Sequence, residues 1–340
     1  MSELRYDALQ RKWVIIVPDH QQRLQDFYAR REKTISIEDC SFCPDNENRT
    51  PPEIAAIRSD DSLPNDPDWR VRVIPNVTAA LEECTITWEP GTEGFYECIP
   101  GYGFHEIIIE GQDHNKDMAS FPLDLTLNVL QMYRDRLSTH LENSNIKYVL
   151  IHKNHNITAH HPQSHVIATP ITPRIVRIEL MSTLRYHAET GNCMICDMVD
   201  RERNDDSRII YDDGNFVAFN SFAPCFPIEL IITPVKHEAY YNHEDDQTLE
   251  HLARCLKDVL SRLKIALDDP AYILILHSAP NIEAPPIYPG YWKTLGEDFH
   301  WHIEIIPRLT EQKNLEWGSG LHINPISPET AASSLREVSL

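Results

Sequence analysis

The sequence predicts an α/β (α+β) protein made of two similar halves, residues 1–170 and 171–340, related by an internal duplication. Three observations predict it. Two histidine-bearing strands run into apolar tails: His161-Pro162-Gln163-Ser164-His165 leads into Val166-Ile167-Ala168, and Phe299-His300-Trp301-His302 leads into Ile303-Glu304-Ile305-Ile306. Glu106-Ile107-Ile108-Ile109 ending at His114 matches Glu229-Leu230-Ile231-Ile232 ending at His237, and Tyr148-Val149-Leu150-Ile151 matches Tyr272-Ile273-Leu274-Ile275. Finally, the order Cys-x-x-Cys, strand then His, helix, strand, His-bearing strand occurs twice.

Taken in order, Trp13 to Val17 is a short apolar strand that Pro18 ends. Cys40-Ser41-Phe42-Cys43-Pro44 is a tight turn, and the Asp, Pro and Ser of 58–69 make a surface loop. Trp69 to Pro75 and Phe104 to Glu110 alternate as strands do. Leu125, Val129, Met132, Leu137 and Leu141 fall at helical spacing, which predicts a helix over Leu123 to Leu141. Lys147 to Ile151 is a strand leading to the central motif. There, His161, Gln163 and His165 alternate and should share one strand face, because side chains repeat every second residue. The second half repeats this with strands at Phe216 to Asn220, Ile228 to Ile232 and Tyr272 to Leu276, a helix from about Leu249 to Leu267, and the His300/His302 strand. A last helix-like stretch covers Glu329 to Glu337.

A chain of 340 residues, 41% hydrophobic, buries a substantial core. Its polar start, MSELRYDALQRKW, and the lack of a long apolar run predict a cytoplasmic protein. A net charge of −21 argues against nucleic acid as a partner, since neutralising many phosphates needs a basic surface. A single small anion remains within reach of a few arginines and backbone amides.

Each half offers a Cys-x-x-Cys pair, a histidine after a strand and a histidine on its last strand. That is the donor set of a tetrahedral zinc site: Cys40, Cys43, His114 and His161 in the first half, Cys193, Cys196, His237 and His300 in the second. The competing reading makes the cysteines core residues and the histidines solvated. A redox pair fits less well, since neither couple opens a helix after a strand. Cys84, Cys98, Cys225 and Cys255 read as ordinary residues. His20, His140, His152, His155, His187, His243, His251, His277 and His322 lack ligand spacing and read as solvated.

Together the Cys-x-x-Cys pairs, Trp69-Arg70-Val71-Arg72-Val73-Ile74-Pro75-Asn76, His105-Glu106, Asp113-His114, Lys153-Asn154, the His161 to His165 motif, His300-Trp301-His302-Ile303-Glu304 and Glu316-Trp317-Gly318-Ser319-Gly320 resemble the galactose-1-phosphate uridylyltransferase family of the histidine-triad superfamily. The resemblance covers almost the whole chain. It implies two histidine-triad-like halves, each with an antiparallel sheet, and a homodimer whose active site draws on both subunits. It also implies transfer of a nucleoside monophosphate between a nucleotide sugar and a sugar 1-phosphate through a nucleotidylated histidine. On this resemblance His161 takes the zinc-binding position of the family's His-Pro-His-x-Gln motif, Gln163 the nucleophile's and His165 that of the phosphate-holding Gln. Asn76 and Asn154 line the nucleotide site, Arg23 stands near the phosphates, Ser164 donates to phosphate, and Trp317 and Gly318 lie beside the sugar, with Gly318 and Gly320 allowing close backbone approach.

Two departures bear on function. A carboxamide nitrogen at position 163 has a delocalised lone pair and cannot form the covalent intermediate. No glycine lies between Lys153 and His165. Three explanations stand: a silenced nucleophile, which the sequence favours; an exchange of roles in which His165 or His160 attacks; or direct transfer between bound substrates. His165 lies roughly 6.6 Å further along a strand than position 163. The expected activity is therefore UDP-hexose:hexose-1-phosphate uridylyl transfer. The alternatives are a relative acting on ADP-glucose, diadenosine polyphosphate or adenylyl sulfate with phosphate, and a non-catalytic nucleotide-binding protein.

Overall fold

The computed structural model describes residues 3–16, 37–84, 99–157, 161–284, 292–310 and 314–340. In chain order its elements are β1 (Glu3–Asp7), β2 (Lys12–Ile16), β3 (Ala55–Arg58), β4 (Trp69–Pro75), β5 (Phe104–Ile109), α1 (Leu123–Leu141), β6 (Tyr148–His155), β7 (Gln163–Thr169), α2 (Arg174–Thr190), α3 (Met194–Asp205), β8 (Ile209–Asp212), β9 (Phe216–Asn220), β10 (Leu230–Pro234), α4 (Asp246–Ala266), β11 (Tyr272–His277), α5 (Leu295–Asp298), β12 (His302–Pro307), α6 (Asn314–Ser319), β13 (His322–Asn324) and α7 (Pro328–Arg336).

Alternation of apolar side chains builds the main sheet, ten antiparallel strands in the order β3-β4-β5-β7-β6-β11-β12-β10-β9-β8. The order reads alike from either end, with β6 and β11 meeting in the middle. The antiparallel sheet expected of each half is present, and the two are joined edge to edge. Each half brings five strands to one shared sheet, because the unpaired backbone edges of β6 and β11 satisfy each other. The division at residue 170 falls between β7 and α2.

One face of the sheet is covered by α1 and α4, whose buried residues recur three and four apart (Val129, Met132, Tyr133 and Leu137 in α1; Leu249, Leu252, Leu256 and Leu263 in α4). They share one apolar cluster with Val149, Ile151, Val166, Leu230 and Ile303, so both halves have a common core. Asp245 caps α4 by accepting from the Thr248 amide at 2.8 Å, whereas α1 starts after Pro122 without a side-chain cap. No helix among the described residues is long and apolar enough to cross a membrane.

The opposite face carries Gln163 and His165 of β7 and His152 of β6. Over its second half lie α2, α3 and a small sheet ordered β1-β2-β13. The sequence reading gave no element at α2, α3, β1, β3, β8 or β13. In α2 the buried positions include Glu179, Ser182 and Thr183, so polar residues blur its apolar stripe.

Candidate functional site

Two four-residue clusters form as the spacing predicts. The donor atoms of Cys40, Cys43, His114 and His161 lie within 4.8 Å of one another, as do those of Cys193, Cys196, His237 and His300. In the first, Cys43 Sγ is 3.4 Å from His114 Nδ1 and 3.7 Å from His161 Nδ1. In the second, Cys196 Sγ is 3.5 Å from His237 Nδ1 and 3.4 Å from His300 Nδ1. A tetrahedral zinc ion sets its S and N donors about 3.6 Å apart, so both sets fit one. The outer nitrogens support the fit: His161 Nε2 donates to Gly111 O at 2.7 Å and His237 Nε2 to Gly296 O at 3.0 Å, leaving a bare Nδ1 lone pair turned inward. Burial, aided by the neighbouring Cys40 sulfur, pushes the Cys43 thiol up to about 12, and a cation held beside it would favour its ionised form.

Local structure holds these ligands. The Asn46 side chain donates to Cys40 O at 2.8 Å and closes the first turn. Cys193 caps α3 and Cys196 lies in its first turn, though the element before them is a helix rather than a strand. His161 lies just ahead of β7 and reaches the Cys40/Cys43 cluster, whose Phe42 packs with Ile107 and Ile109 on the face shared by Gln163 and His165, in keeping with the alternation.

Beyond that cluster, β7 divides its side chains by parity. Ser164 points towards α1 and is fully buried, bonded to Glu110 Oε1 and the Tyr133 hydroxyl. Glu110 is also paired with Lys153 at 2.5 Å. The expected donation from Ser164 to phosphate is corrected by this placement: its hydroxyl is committed beneath the sheet. Gln163 and His165 take the opposite face, 3.4 Å apart at their Nε2 atoms.

A row of imidazoles meets them there. His165 pairs across the sheet with His152, the rings stacked with centroids 5.0 Å apart and planes 14° from parallel. His165 Nδ1 lies 3.1 Å from His105 Nε2. The Asn76 amide nitrogen touches the His105 ring, 3.1 Å from Nε2, while Asn76 Oδ1 is held by Thr78. Burial, with the charges of neighbouring imidazoles, lowers both His152 and His165 to about 4, and burial lowers His105 as well. All three stay neutral near pH 7, the form with a usable lone pair.

Over 346 residues the chain is 30% identical to ADP-glucose phosphorylase of Arabidopsis thaliana, covering 99% of this chain and 93% of that one. It is 24% identical over 360 residues to galactose-1-phosphate uridylyltransferase of Thermotoga maritima, covering 99% and 98%. The chain belongs to the galactose-1-phosphate uridylyltransferase family. As a member of that family it is a nucleotidyltransferase. A solved structure of the Arabidopsis thaliana ADP-glucose phosphorylase with bound ADP-glucose matches 100% of both chains at 28% identity, with a TM-score of 0.80. No family model matches the chain.

For the family member described here, the structure brings Gln163, His165 and Asn76 together and places Asn154 on the same face, two residues beyond His152. Gly318 lies in α6, where a Cβ built on it meets nothing within 4 Å among the described residues. Gly320 serves conformation, ending α6 at φ +70. Arg23, His20, His160 and Cys98 lie outside the described residues, as does the Trp317 side chain. Sequence reasoning missed His105 as a site residue and set His152 aside as solvated. The signal for His152 is parity, since it stands two residues before Asn154, which the resemblance assigns to the nucleotide site. His277, also set aside, is buried against Glu179 at 3.0 Å.

Proposed function

We propose that this nucleotidyltransferase moves an adenylyl group from ADP-glucose to phosphate, releasing glucose 1-phosphate and ADP, on the sheet face of Gln163, His165, His105 and His152. The observation that supports this donor over UDP-hexose is the likeness along the whole chain to an ADP-glucose phosphorylase. Asn76 and Asn154 are the contacts assigned to the nucleotide, with Arg23 near the phosphates and the Trp317–Gly318 segment at the sugar. This reading also takes the protein to be a homodimer, with the segment facing the second subunit; among the described residues a Cβ on Gly318 meets nothing within 4 Å. The protein is read as cytoplasmic.

Two zinc ions per chain are part of this reading, one held by Cys40, Cys43, His114 and His161 and one by Cys193, Cys196, His237 and His300. With four protein ligands, zinc supplies structural bracing rather than an open coordination position. His161, two residues before Gln163, thereby anchors the start of β7.

Thermal-shift measurements with ADP-glucose, UDP-glucose, AMP and UMP, followed by turnover with phosphate or hexose 1-phosphate, test the reading. Stabilisation by ADP-glucose and phosphate-dependent release of glucose 1-phosphate are expected. Turnover confined to UDP-glucose with hexose 1-phosphate replaces the donor, and binding without turnover makes the protein a nucleotide sensor.

A further inference from the structure

We propose that His165 is the nucleophile that carries the nucleotidyl group, that His105 fixes the tautomer in which it attacks, and that Gln163 holds a phosphoryl oxygen beside it. This rests on the transfer reaction above and adds the residue that forms the covalent bond.

The side-chain tips decide reach. Although positions 163 and 165 are two residues apart along β7, Gln163 Nε2 and His165 Nε2 are separated by only 3.4 Å. A phosphoryl group in contact with one is in contact with the other, so the substrate need not shift by two residues of backbone. At 3.4 Å the contact is long, and a phosphoryl oxygen readily takes it over.

Facing ring nitrogens 3.1 Å apart share one proton. With that proton on His165 Nδ1, donated to His105 Nε2, the in-plane lone pair of His165 is at Nε2, beside Gln163. With the proton on His105 instead, the His165 lone pair is buried at Nδ1 and unable to attack. The Gln163 amide nitrogen can only donate, so its approach to His165 Nε2 selects the first arrangement. The stacked His152 ring limits rotation of His165. A metal site is a poor alternative, since the imidazoles of His105, His152 and His165 are not among the groups whose donor atoms converge within 4.8 Å.

The step balances without a further reactant. The His165 Nε2 lone pair attacks the α-phosphorus and a P–N bond forms. The bond from that phosphorus to the bridging oxygen breaks, and the sugar 1-phosphate leaves with its electrons. The charged ring is stabilised by the Nδ1–H donated to His105. Attack of inorganic phosphate on the phosphorus then breaks the P–N bond and returns the pair to His165. Gln163 donates to a non-bridging oxygen throughout.

The test incubates the full chain with ADP-glucose or UDP-glucose radiolabelled at the α-phosphate, omits the acceptor, quenches in base and maps the label by peptide mass spectrometry. Label on His165 that phosphate discharges is expected, with turnover reduced about 1,000-fold or more in both H165Q and H165N. Melting and metal content of each variant separate lost chemistry from lost fold. H105L is expected to slow labelling about 100-fold while nucleotide affinity changes less than about threefold, and H105Q, which keeps an acceptor towards Nδ1, to recover most of the rate. Label on another residue, or turnover with sequential kinetics and no label, overturns the nucleophile. H105Q as slow as H105L, or H105L as fast as the parent, overturns the tautomer role. No turnover with any nucleotide sugar brings down the transfer reaction together with this inference.

Discussion

The two halves place equivalent strands, β7 and β12, at mirrored positions in one sheet and use the same face for opposite purposes. Two and four residues after the metal-cluster histidine, β7 presents Gln163 and His165 and β12 presents His302 and Glu304. In the first half that face carries neutral imidazoles, half-buried and uncommitted to carboxylates. The second is filled by the chain itself. Leu9 packs against Ile231, and Gln10 donates to Glu179. Lys12 sits among Glu229, Asp7 and Glu304, whose attraction outweighs its burial and raises it above its usual range. Burial alone would lower His277, but Glu179, helped by Glu304, pushes it up to about 10. Among the described residues, one scaffold thus carries neutral imidazoles on one half of this face and, on the other, a closed core of paired charges covered by the Leu9–Lys12 segment.

The metal clusters give the largest test of that contrast. Chelation of both ions should cost more than about 10 kcal/mol of apparent stability, given what structural zinc contributes in small domains. C40S should remove one metal equivalent and cut turnover about 100-fold, because His161 anchors the strand bearing His165; C193S should remove one equivalent and cut it less than about tenfold. Metal analysis beside steady-state turnover reads both, and equal losses of activity would erase the distinction between halves.

Next in size is the charged network beneath Gln163 and His165. E110Q strands Lys153, which is 1% exposed, and should cost about 3–5 kcal/mol in denaturant unfolding. E179Q, its counterpart in the closed half, should cost less, since His277 can shed its proton and remain as a neutral ring. The pH dependences run in opposite senses. His277 is raised above 6.5, so its stabilisation is complete below pH 6.5 and lost as pH rises through about 10; E179Q should flatten that limb. The groups facing His277 are Glu179, Glu304 and the stacked His302. His152 and His165 are lowered, so their contribution is present above 6.5 and lost as pH falls through about 4; H152F should weaken that acid limb. Stability measured from pH 4 to pH 10 checks both signs.

The smallest effect concerns the paired helices. D245A should cost about 1 kcal/mol by removing the cap of α4, an interaction for which α1 has no equivalent side chain to lose. Urea unfolding of the variant measures it.

Cys-x-x-Cys spacing and the histidines downstream were enough to name all eight members of the two Cys/His clusters, because a Cys pair and its order in a repeated unit are local properties of the chain. Strand β4 and helix α1 were legible to their end residues for the same reason: Trp69–Pro75 alternates and Leu123–Leu141 keeps one apolar stripe. What only the tertiary structure decided was which histidines meet. His105, His152 and His165 come from three strands, and their contact depends on the register of β5 and β6 against β7, which no single strand's pattern contains. The same register sends Ser164 beneath the sheet to Glu110 and buries His277 against Glu179. Periodicity records how a side chain points from its own strand; partnership is settled by backbone hydrogen bonds between segments far apart in sequence.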